Sequence, residues 1–500
     1  MINTEQKKIG KKLYDYQEED LNHIFERFEN CPQDYNLLYQ LPTGGGKTVI
    51  FSEIARRYIE TKKQKVLILT HRIELCGQTS RMLTEFGVNN KIIDSKVKEL
   101  PDQADYNCFV AMVETLNNRL NDEKFTMENV GLVIIDEAHY NSFRKLFKFF
   151  DNCFILGVTA TPLSSNIKLP MNESYAELIV GTPIAQLIEK SFLAKATTYS
   201  FNVRLGTLQV GINGDYTVKS SEELYSNQVM QSKLLYAYKK RSMGKKTLIF
   251  NAGINTSLQV FETFKDAKLP IRHLDSHCSK NERIDILKWF KETPDAILTS
   301  VGILTTGFDE PSIQTIILNR ATRSLSLYYQ MIGRGSRIFK DKANFDVIDL
   351  GNNVARFGLW VNDINWQKIF RSPDFFLSNL ITDDEIERNF KYSMPEEIRV
   401  HFAKSKEVDF DIYKEHKRVE SLGLRTRVVI EKAIEQHVEI VLENSTDFGQ
   451  ALGLIRMLDA DIDDRVRRYA YCISKSTRNY RDWLKEDYRK KLKAKVTNNF

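Results

Sequence analysis

The stretch LPTGGGKT, residues 41–48, decides the fold prediction for this chain. Glycines allow backbone N–H groups to turn inward and touch phosphate oxygens, because no side chain blocks the approach. The three glycines of the stretch are Gly44, Gly45 and Gly46. Lys47 then places a positive charge near the outer phosphates, and Thr48 offers a hydroxyl to Mg²⁺. The stretch therefore predicts a site for ATP and Mg²⁺.

The residues that follow predict a helix. The apolar run Val49-Ile50-Phe51, continuing into residues 53–55, places the positive end of that helix against the phosphates. Leu41 stands where the general motif G-x-x-x-x-G-K-T has its first glycine. A glycine-rich turn before an ordinary helix is therefore the alternative interpretation.

Two adjacent carboxylates, Asp136 and Glu137, follow an apolar run at residues 130–135. The run predicts a strand that is buried on both faces, and ligands collect at the carboxyl ends of such strands in open α/β sheets. We expect Asp136 to hold Mg²⁺ and Glu137 to polarise the attacking water. The alternative is that both acids cap the next helix, where negative charge is also favoured.

The stretch QMIGRGSR, residues 330–337, supplies two arginines, Arg334 and Arg337. They lie three residues apart, which places them on one face if the stretch is helical. Arginine suits the charge that spreads over phosphoryl oxygens in a transition state. A basic surface helix is the alternative, and the two glycines of the stretch disfavour it.

Together, these segments resemble the superfamily 2 helicases and translocases of the DEAH-box type, over roughly residues 10–360. The acidic segment reads Asp136-Glu137-Ala138-His139. The other matching segments are Tyr16-Gln17 (adenine-reading motif), residues 70–75 with Gln78 (motif Ia), residues 159–162 (motif III), residues 248–251 (motif IV) and residues 305–311 (motif V).

The resemblance implies further roles for named residues. Gln17 would read adenine, Gly307 and Asp309 would help to hold the nucleotide, and Gln330 would act with the catalytic arginines. The residues expected to contact nucleic acid, or to couple it to the nucleotide, are Arg72, Thr159, Thr161 and Thr305.

A finer resemblance points to the RadD-like and XPB-like group of DNA helicases. It rests on residues 307–311, 330–337 and 349–358. RadD-like members carry a cysteine-rich zinc module after the last of these segments. This chain has one cysteine beyond residue 300, Cys472, and therefore no such module.

Length and composition bound the architecture. A chain of 500 residues suggests two to four domains, and 42% hydrophobic with 28% charged residues is typical of a globular protein in water. No apolar stretch approaches the roughly 18 residues that cross a bilayer, so we expect no membrane association. The N-terminus, Met1–Lys8, lacks the apolar core of a signal peptide. Six scattered cysteines favour the reducing cytoplasm.

Apolar runs alternate with helical patterns twice along the chain, which predicts an α/β fold with two parallel sheets and a mainly helical C-terminal domain. The resemblance implies that the two sheets belong to two tandem RecA-like parallel-sheet domains. The nucleotide would lie between the two sheets. We expect the first RecA-like domain at 1–165, a connector with a β-hairpin at 166–239, the second RecA-like domain at 240–365 and the helical domain at 366–500.

The C-terminal stretch is basic. Residues 465–500 contain twelve Lys and Arg against three Asp and Glu. With the aromatic residues interleaved there, this tail predicts either a surface for a phosphate backbone or an ordinary solvated face.

Three hypotheses for function follow. The first is an ATP-dependent helicase that translocates along or unwinds nucleic acid, DNA more than RNA. The second is a double-stranded-DNA translocase or ATPase subunit of a restriction, repair or phage-defence complex, in which residues 366–500 bind a protein partner. The third is an inactive scaffold, which the presence of every catalytic residue type disfavours.

Overall fold

The computed structural model describes residues 12–122, 125–166, 168–305, 307–340, 342–390, 394–473 and 477–500. The N-terminal stretch considered above for a signal peptide lies outside them. The chain divides into two compact units, Met1–Asp383 and Asp384–Phe500. Among the described residues, no helix is both long and apolar enough to span a bilayer.

The first unit begins with a seven-stranded sheet in the order β3-β4-β2-β5-β6-β1-β7, with parallel pairing between all neighbours. Its strands are β1 (Leu37–Gln40), β2 (Lys65–Thr70), β3 (Asn90–Ile93), β4 (Cys108–Met112), β5 (Val130–Asp136), β6 (Phe154–Thr159) and β7 (Glu177–Val180). Its helices are α1 (Asp15–Asn30), α2 (Lys47–Lys62), α3 (Ile73–Glu85), α4 (Val113–Leu120) and α5 (Ile184–Glu189).

A second parallel sheet of six strands follows in the order β10-β11-β9-β12-β13-β8. Its strands are β8 (Lys195–Ser200), β9 (Thr247–Asn251), β10 (Ile271–Leu274), β11 (Ile297–Ser300), β12 (Thr315–Asn319) and β13 (Asn344–Asp349). The helices are α6 (Val218–Tyr225), α7 (Gln228–Arg241), α8 (Ile254–Asp266), α9 (Lys280–Glu292), α10 (Leu325–Ile332), α11 (Asn353–Phe357), α12 (Trp366–Arg371) and α13 (Pro373–Ser378).

The two parallel sheets and the helical C-terminal region confirm the predicted fold class. The central strands are apolar along their whole length and buried, as in β5 and β6, because helices cover both faces of a parallel sheet. Strand β6 lies between β1 and β5. The phosphate-binding stretch after β1 and the acidic pair after β5 therefore emerge at the same edge of the sheet, on either side of Thr159.

The predicted β-hairpin in the connector is confirmed at its turn, residues 211–215, and is wrong in its first arm, residues 199–203. Residues 195–200 instead form β8, the edge strand of the second sheet, in parallel register with β13. A single antiparallel bridge between Val210 and Tyr216 is what remains of the hairpin. The alternating pattern at 199–203 is shared by a half-exposed edge strand and by a hairpin arm, so local sequence does not distinguish the two.

The second unit is helical. Its helices are α14 (Asp383–Arg388, which starts at the unit boundary), α15 (Glu396–Arg399), α16 (Ile412–Ser421), α17 (Arg427–Asn444), α18 (Phe448–Met457), α19 (Asp459–Cys472) and α20 (Arg478–Thr497). Helix α20 buries one residue per turn, namely Leu484, Tyr488, Leu492 and Val496, against the core of this unit. That four-residue spacing forms one apolar stripe.

A buried polar network crosses the core of the second unit. His437 Nε2 donates to Asp461 at 2.9 Å, and the Tyr488 hydroxyl donates to His437 Nδ1 at 2.9 Å. Arg465, which is 1% exposed, donates to Asp461 at 3.1 Å. Burial and the neighbouring Arg465 lower the pKa of His437 to about 4, so its imidazole is neutral. The one buried cation and the one buried anion therefore balance.

The basic tail of 465–500 is largely neutralised within this unit. Four aspartates lie just before the tail, so residues 459–500 carry twelve basic against seven acidic residues. In the part of this tail that the structure describes, seven basic side chains form ion pairs, which join Arg465 to Asp461, Arg467 and Lys485 to Asp463, Arg468 to Asp464, Arg489 to Asp459, Lys491 to Asp487 and Lys495 to Glu435. The pairing favours the solvated-face interpretation of this tail over a phosphate-binding surface.

Replacing Asp461 with Ala should destabilise the second unit by about 3–5 kcal/mol, because it leaves Arg465 buried and unpaired. The matched control is Asp459→Ala, which removes an exposed ion pair with Arg489 and should cost less than ~1 kcal/mol. Urea unfolding of the full chain, followed by circular dichroism, gives both values. Equal unfolding midpoints for the two variants would show that the buried network contributes no more than a surface pair.

Candidate active site

The phosphate-binding stretch is a tight turn between β1 and α2. Gly44 and Gly46 have φ values of 91° and 87°, in the left-handed region that favours glycine. A Cβ atom on Gly46 would lie 2.5 Å from Gln17 Nε2, so a side chain at this position would also displace the amide of Gln17. Helix α2 begins at Lys47, and its free N–H groups therefore point toward the turn.

Gln17 supports this turn from behind. Its Nε2 donates to the Gly45 carbonyl at 3.3 Å, and its Oε1 accepts from the Tyr14 N–H at 3.0 Å. The Tyr16 hydroxyl donates to the same Gly45 carbonyl at 2.8 Å. Gln17 is 3% exposed, so in this structure its amide holds the turn in place rather than facing the open cavity.

The acidic pair follows β5 directly. The Glu137 N–H donates to Asp136 Oδ1 at 3.0 Å, and Glu137 itself has a φ of 54°. A left-handed glutamate is strained, and such strain is concentrated at functional sites. Among the described residues, Glu137 Oε2 is buried without a hydrogen-bond partner. This carboxylate oxygen is therefore available to a ligand.

The pKa values of the two carboxyl groups are shifted in opposite directions. Burial and the charge of Glu137 raise the pKa of Asp136. Burial also opposes the ionisation of Glu137, but Lys47 and the nearby histidines outweigh it and lower the pKa of Glu137. Lys47 thus lies close enough to stabilise the negative charge of Glu137, which keeps that carboxylate ionised and able to accept a proton.

His139 links the acidic pair to the second sheet. Its Nδ1 lies 3.1 Å from the Thr159 hydroxyl and 3.4 Å from Glu137 Oε2, and its Nε2 lies 3.4 Å from Gln330 Nε2. Thr159 donates its own proton to the Thr161 carbonyl at 3.0 Å. This pattern assigns the imidazole proton to Nδ1, with Nε2 accepting from Gln330. Burial lowers the pKa of His139, which agrees with a neutral ring.

Thr161 makes a second contact between the sheets. Its hydroxyl lies 2.6 Å from the hydroxyl of Ser326, on the first turn of α10. Gln330 lies one turn further along the same helix. Thr159 and Thr161, the two threonines expected to couple the domains, therefore sit at the interface between the first sheet and α10.

The two arginines do not share a helical face, because α10 ends at Ile332. Arg334 is 5% exposed and donates to the Thr305 carbonyl at 2.7 Å and to the Phe308 carbonyl at 2.6 Å. Burial and the neighbouring Arg337 lower its pKa to about 9. In this structure Arg334 holds the loop at 305–308 in place.

Arg337 is the more accessible arginine. It forms an ion pair with Asp309 and donates to the Phe308 carbonyl at 3.4 Å. The side chain of Asp309 is 64% exposed. The guanidinium thus has one exposed partner, which a bound phosphate can replace without leaving a buried charge behind.

Two residues of motif Ia contact the loop at residues 302–308, which also contains the carbonyl groups that Arg334 bonds. Gln78 donates to the Gly307 carbonyl at 2.6 Å, and Arg72 donates to the Ile303 carbonyl at 2.9 Å. The Thr305 hydroxyl donates to the Gly302 carbonyl at 2.8 Å. Arg72, expected to contact nucleic acid, here joins the two halves of the first unit through a backbone contact, whereas Thr305, expected to do the same, bonds within its own loop. Thr306, which belongs to motif V together with Thr305, lies outside the described residues.

One cavity of about 440 Å³ brings the candidates together. From the first sheet it is lined by Gly44, Gly46, Lys47, Thr48, Asp136 and Glu137, and from the second by Gly307, Asp309, Arg334 and Arg337. The predicted residues that do not line it are Gln17, Gly45, Arg72, Thr159, Thr161, Thr305 and Gln330. Of these, Gly45 is part of the phosphate-binding turn, Gln17 donates to its carbonyl, and the Thr305 carbonyl accepts from Arg334.

Sequence reasoning missed two residues at this site. Arg81, one turn after Gln78 on α3, lines the cavity and adds a positive charge. Ser326 makes the contact with Thr161 described above. Once Gln78 is assigned to the site, the three-residue spacing on a helix predicts that Arg81 lies on the same face. Nothing in the sequence around Ser326 predicts its contact with Thr161.

Two protein families match this chain. The family described as the type III restriction enzyme, res subunit, matches residues 10–164. The family described as the helicase conserved C-terminal domain matches residues 228–339. The first match contains the phosphate-binding turn and the acidic pair, and the second contains both arginines.

Individual relatives agree with these matches. A Saccharomyces cerevisiae protein named as an ATP-dependent helicase, IRC3, is 29% identical over 67% of this chain and 51% of its own length. A 51.5 kDa protein of a Lactococcus phage is 27% identical over 67% of this chain and 69% of its own. The solved fragment of a type I restriction enzyme HsdR subunit from Vibrio vulnificus YJ016 has a similar fold, with a TM-score of 0.54 and 21% identity over 68% of this chain and 64% of its own.

The chain thus spans about half the length of its yeast relative. Both parallel sheets, the residues that line the cavity between them and the two family matches fall in the same part of the chain. Residues 10–164 are thus similar to the res subunit of type III restriction enzymes, and residues 228–339 are similar to the conserved C-terminal domain of helicases.

Proposed function

We propose that this protein hydrolyses ATP to drive movement along nucleic acid, with DNA as the preferred track. The observation that carries the proposal is the shared cavity. Lys47 and Glu137 enter it from the first sheet, and Arg337 enters it from the second. Because residues from both sheets form the site, the site is complete only when the two sheets close together. ATP hydrolysis can therefore drive a change in the distance between the sheets.

The cavity suits a nucleoside triphosphate. Its volume of about 440 Å³ lies within the range of roughly 300–1,000 Å³ that is common for small-molecule sites. The left-handed glycines turn backbone N–H groups toward the phosphates. Thr48 and Asp136 offer the oxygen ligands that Mg²⁺ prefers. When bound, Mg²⁺ neutralises charge on the phosphate oxygens.

Glu137 is the proposed general base. Its ionised Oε2, which has no hydrogen bond among the described residues, accepts a proton from the attacking water, and the neutral His139 lies beside the same oxygen, with Nδ1 at 3.4 Å. The strained backbone fixes the direction of the carboxylate. Arg337 leaves Asp309 and stabilises the negative charge that develops on the phosphoryl oxygens.

Helix α10 is the proposed coupling element. Ser326 and Gln330 contact the first sheet at Thr161 and His139, and the catalytic arginines follow the end of the same helix. Nucleic acid that binds across both sheets through its phosphates shifts these contacts and so controls closure. Phosphate contacts carry no sequence information, as movement along a strand requires.

A second candidate function is a double-stranded-DNA translocase or ATPase subunit of a restriction, repair or phage-defence complex. The match of residues 10–164 to a restriction-enzyme family and the fold shared with an HsdR subunit favour it. In this version residues 366–500 bind a protein partner. We place either form in the cytoplasm, because a chain with six scattered cysteines suits a reducing compartment.

Two assays separate these candidates. A helicase displaces a labelled strand from a partial duplex in the presence of ATP. A duplex translocase leaves the duplex intact and displaces the third strand of a triplex.

ATP hydrolysis should rise when nucleic acid is added. We expect single-stranded or duplex DNA to stimulate turnover more than RNA, measured as phosphate release with each of the three polymers and without any. Lys47→Ala is the control and should abolish hydrolysis in all four samples, because it removes the main protein charge on the phosphates. A rate that no polymer changes would contradict the proposal.

Glu137→Gln should bind ATP as well as the original protein yet hydrolyse it at least 10²-fold more slowly, because an amide cannot accept the proton. Fluorescent-nucleotide titration and phosphate release give the two values. The matched control is Glu60→Gln on the exposed end of α2, whose ion pair with Arg56 lies outside the cavity, and it should leave both unchanged. If Glu137→Gln hydrolyses ATP at the rate of this control, then Glu137 is not the general base and only caps a helix.

Arg337→Ala should slow hydrolysis by roughly 10²-fold or more while leaving nucleotide affinity nearly intact, since the charge acts on the transition state. Asp309→Asn removes the same ion pair but keeps the arginine, and it should retain turnover. If Asp309→Asn instead weakens nucleotide binding, Asp309 contacts the nucleotide directly. If Arg337→Ala loses nucleotide affinity and turnover equally, then Arg337 binds the nucleotide in the ground state and does not act specifically on the transition state.

A further inference from the structure

Three aromatic rings form a column beside the proposed general base. The ring centroids of His139 and Tyr140 lie 4.3 Å apart, and those of Tyr140 and His71 lie 4.5 Å apart, with interplanar angles of 37° and 39°. The ring of Tyr140 therefore lies between two imidazole rings. Close contacts of this kind restrict the orientation of each ring, because the aromatic faces pack against one another.

The topology of the first sheet brings the three rings together. Strand β5 lies next to β2, and Leu69 is in register with Ile135. His71 follows the end of β2, and Tyr140 follows the end of β5, so both emerge at the same edge of the sheet. The column thus links motif Ia to the acidic segment.

Hydrogen bonds hold the backbone on both sides of the column. The Tyr140 N–H donates to the Glu137 carbonyl at 3.1 Å, which closes a tight turn after the general base. At the end of β2, the Thr70 hydroxyl donates to the Arg72 carbonyl at 3.1 Å, across His71. The backbone is therefore fixed at His71 and at Tyr140, so the rings keep their spacing.

His71 contributes to the column through the face of its ring. Both ring nitrogens are buried and have no hydrogen-bond partner among the described residues. Burial lowers the pKa of His71 to about 4, so the ring is neutral. A neutral imidazole in this setting is a flat surface against which Tyr140 packs.

The direction of the Glu137 carboxylate depends on packing. Glu137 Oε2 has no hydrogen bond among the described residues, and His139 Nδ1 lies 3.4 Å from it. His139 is 3% exposed and packs in turn against Tyr140. A shift of the His139 ring would leave room for the carboxylate to turn away from the attacking water. Misplacement of a reacting group by about 1 Å can slow a reaction by roughly 10²-fold.

We propose that Tyr140 is a positioning residue for ATP hydrolysis, which holds the His139 ring against the Glu137 carboxylate and is itself held by His71. Tyr140 does not line the cavity that contains Lys47 and Glu137. It acts on the general base through His139. This inference rests on the proposed function and adds a residue to the same site.

The test measures turnover and nucleotide affinity separately, on the full chain with ATP and single-stranded DNA. Tyr140→Ala should lower kcat roughly tenfold or more and leave the affinity for a fluorescent nucleotide within about twofold of wild type. Tyr140→Phe keeps the ring and should recover most of the lost turnover. Tyr140 lines a separate cavity of about 280 Å³, so its truncation enlarges an existing opening and leaves no closed void in the core.

The matched control removes a ring elsewhere in the first sheet. Tyr106 is half-buried, as Tyr140 is, and its ring centroid lies 6.3 Å from that of Phe109. Tyr106→Ala should leave kcat and nucleotide affinity unchanged. At the far end of the column, His71→Ala should lower kcat and His71→Phe should restore it, because a phenyl ring offers the same flat surface.

A double variant tests whether Tyr140 acts through Glu137. Glu137→Gln alone slows hydrolysis, and the addition of Tyr140→Ala should slow the residual rate no further. Phosphate release in a single turnover measures this residual rate. A further fall equal to that caused by Tyr140→Ala alone would overturn the proposal, because Tyr140 would then act independently of the base. An unchanged kcat in Tyr140→Ala would overturn it as well, and so would equal losses of kcat and nucleotide affinity.

Crystal structures of wild type and Tyr140→Ala separate this inference from the proposed function. If the wild-type protein hydrolyses no ATP, the proposed function is wrong, and the two structures still show whether the column holds His139. An increase of about 1 Å or more in the distance between His139 Nδ1 and Glu137 Oε2 supports the column. An unmoved His139 ring in Tyr140→Ala contradicts it.

Discussion

The contact between helix α10 and the acidic segment after β5 is the constraint on which the first unit depends. Ser326 bonds Thr161, and Gln330 contacts His139, so the helix is attached to the first sheet at two points one turn apart. Arg334 and Arg337 follow immediately after the helix ends. Eight helical residues span only about 12 Å, which leaves little slack between the attachment points and the arginines. Movement between the sheets must therefore change the position of Arg337 in the cavity.

The cavity concentrates features that cost stability. Glu137 has a left-handed backbone and an unpartnered buried oxygen, and Arg334 is buried with a lowered pKa. Three backbone-directed hydrogen bonds stabilise the Arg334 guanidinium, and Lys47 stabilises the Glu137 carboxylate. Strain and buried charge of this kind persist where the surrounding structure enforces them. The attacking water would supply the donor that Glu137 lacks, and a bound triphosphate would replace Asp309 as the partner of Arg337.

Much of this site could be predicted from the sequence, because its parts are local. The glycines before Lys47 predict a phosphate-binding turn, and the acids that follow an apolar run predict a site at the end of a strand; both patterns span only a few residues. The alternation of strands and helices predicts the two sheets. The non-local parts could not be predicted. Arg334 holds the carbonyls of Thr305 and Phe308, which lie almost thirty residues earlier, and nothing in the motif distinguishes that role from phosphate binding.

The same limit explains the wrong assignment of residues 199–203 in the connector. Residues 199–203 alternate as a hairpin arm does, but their partner is β13, about 150 residues later. The basic tail kept two interpretations open because the count of charges began just after four aspartates. In the folded unit those aspartates pair with lysines and arginines of α19 and α20, so part of the local excess of positive charge is neutralised.

The central claim is that one phosphate is held by residues from both sheets. An experimental structure with ADP, Mg²⁺ and aluminium fluoride, which imitates the phosphoryl group in transfer, tests it most directly. The account predicts that Arg337 has left Asp309 and donates to the fluoride, with Lys47 and Glu137 on the opposite side and the contacts of α10 to Thr161 and His139 intact. A complex in which the fluoride is bound while Arg337 still pairs with Asp309 would contradict it.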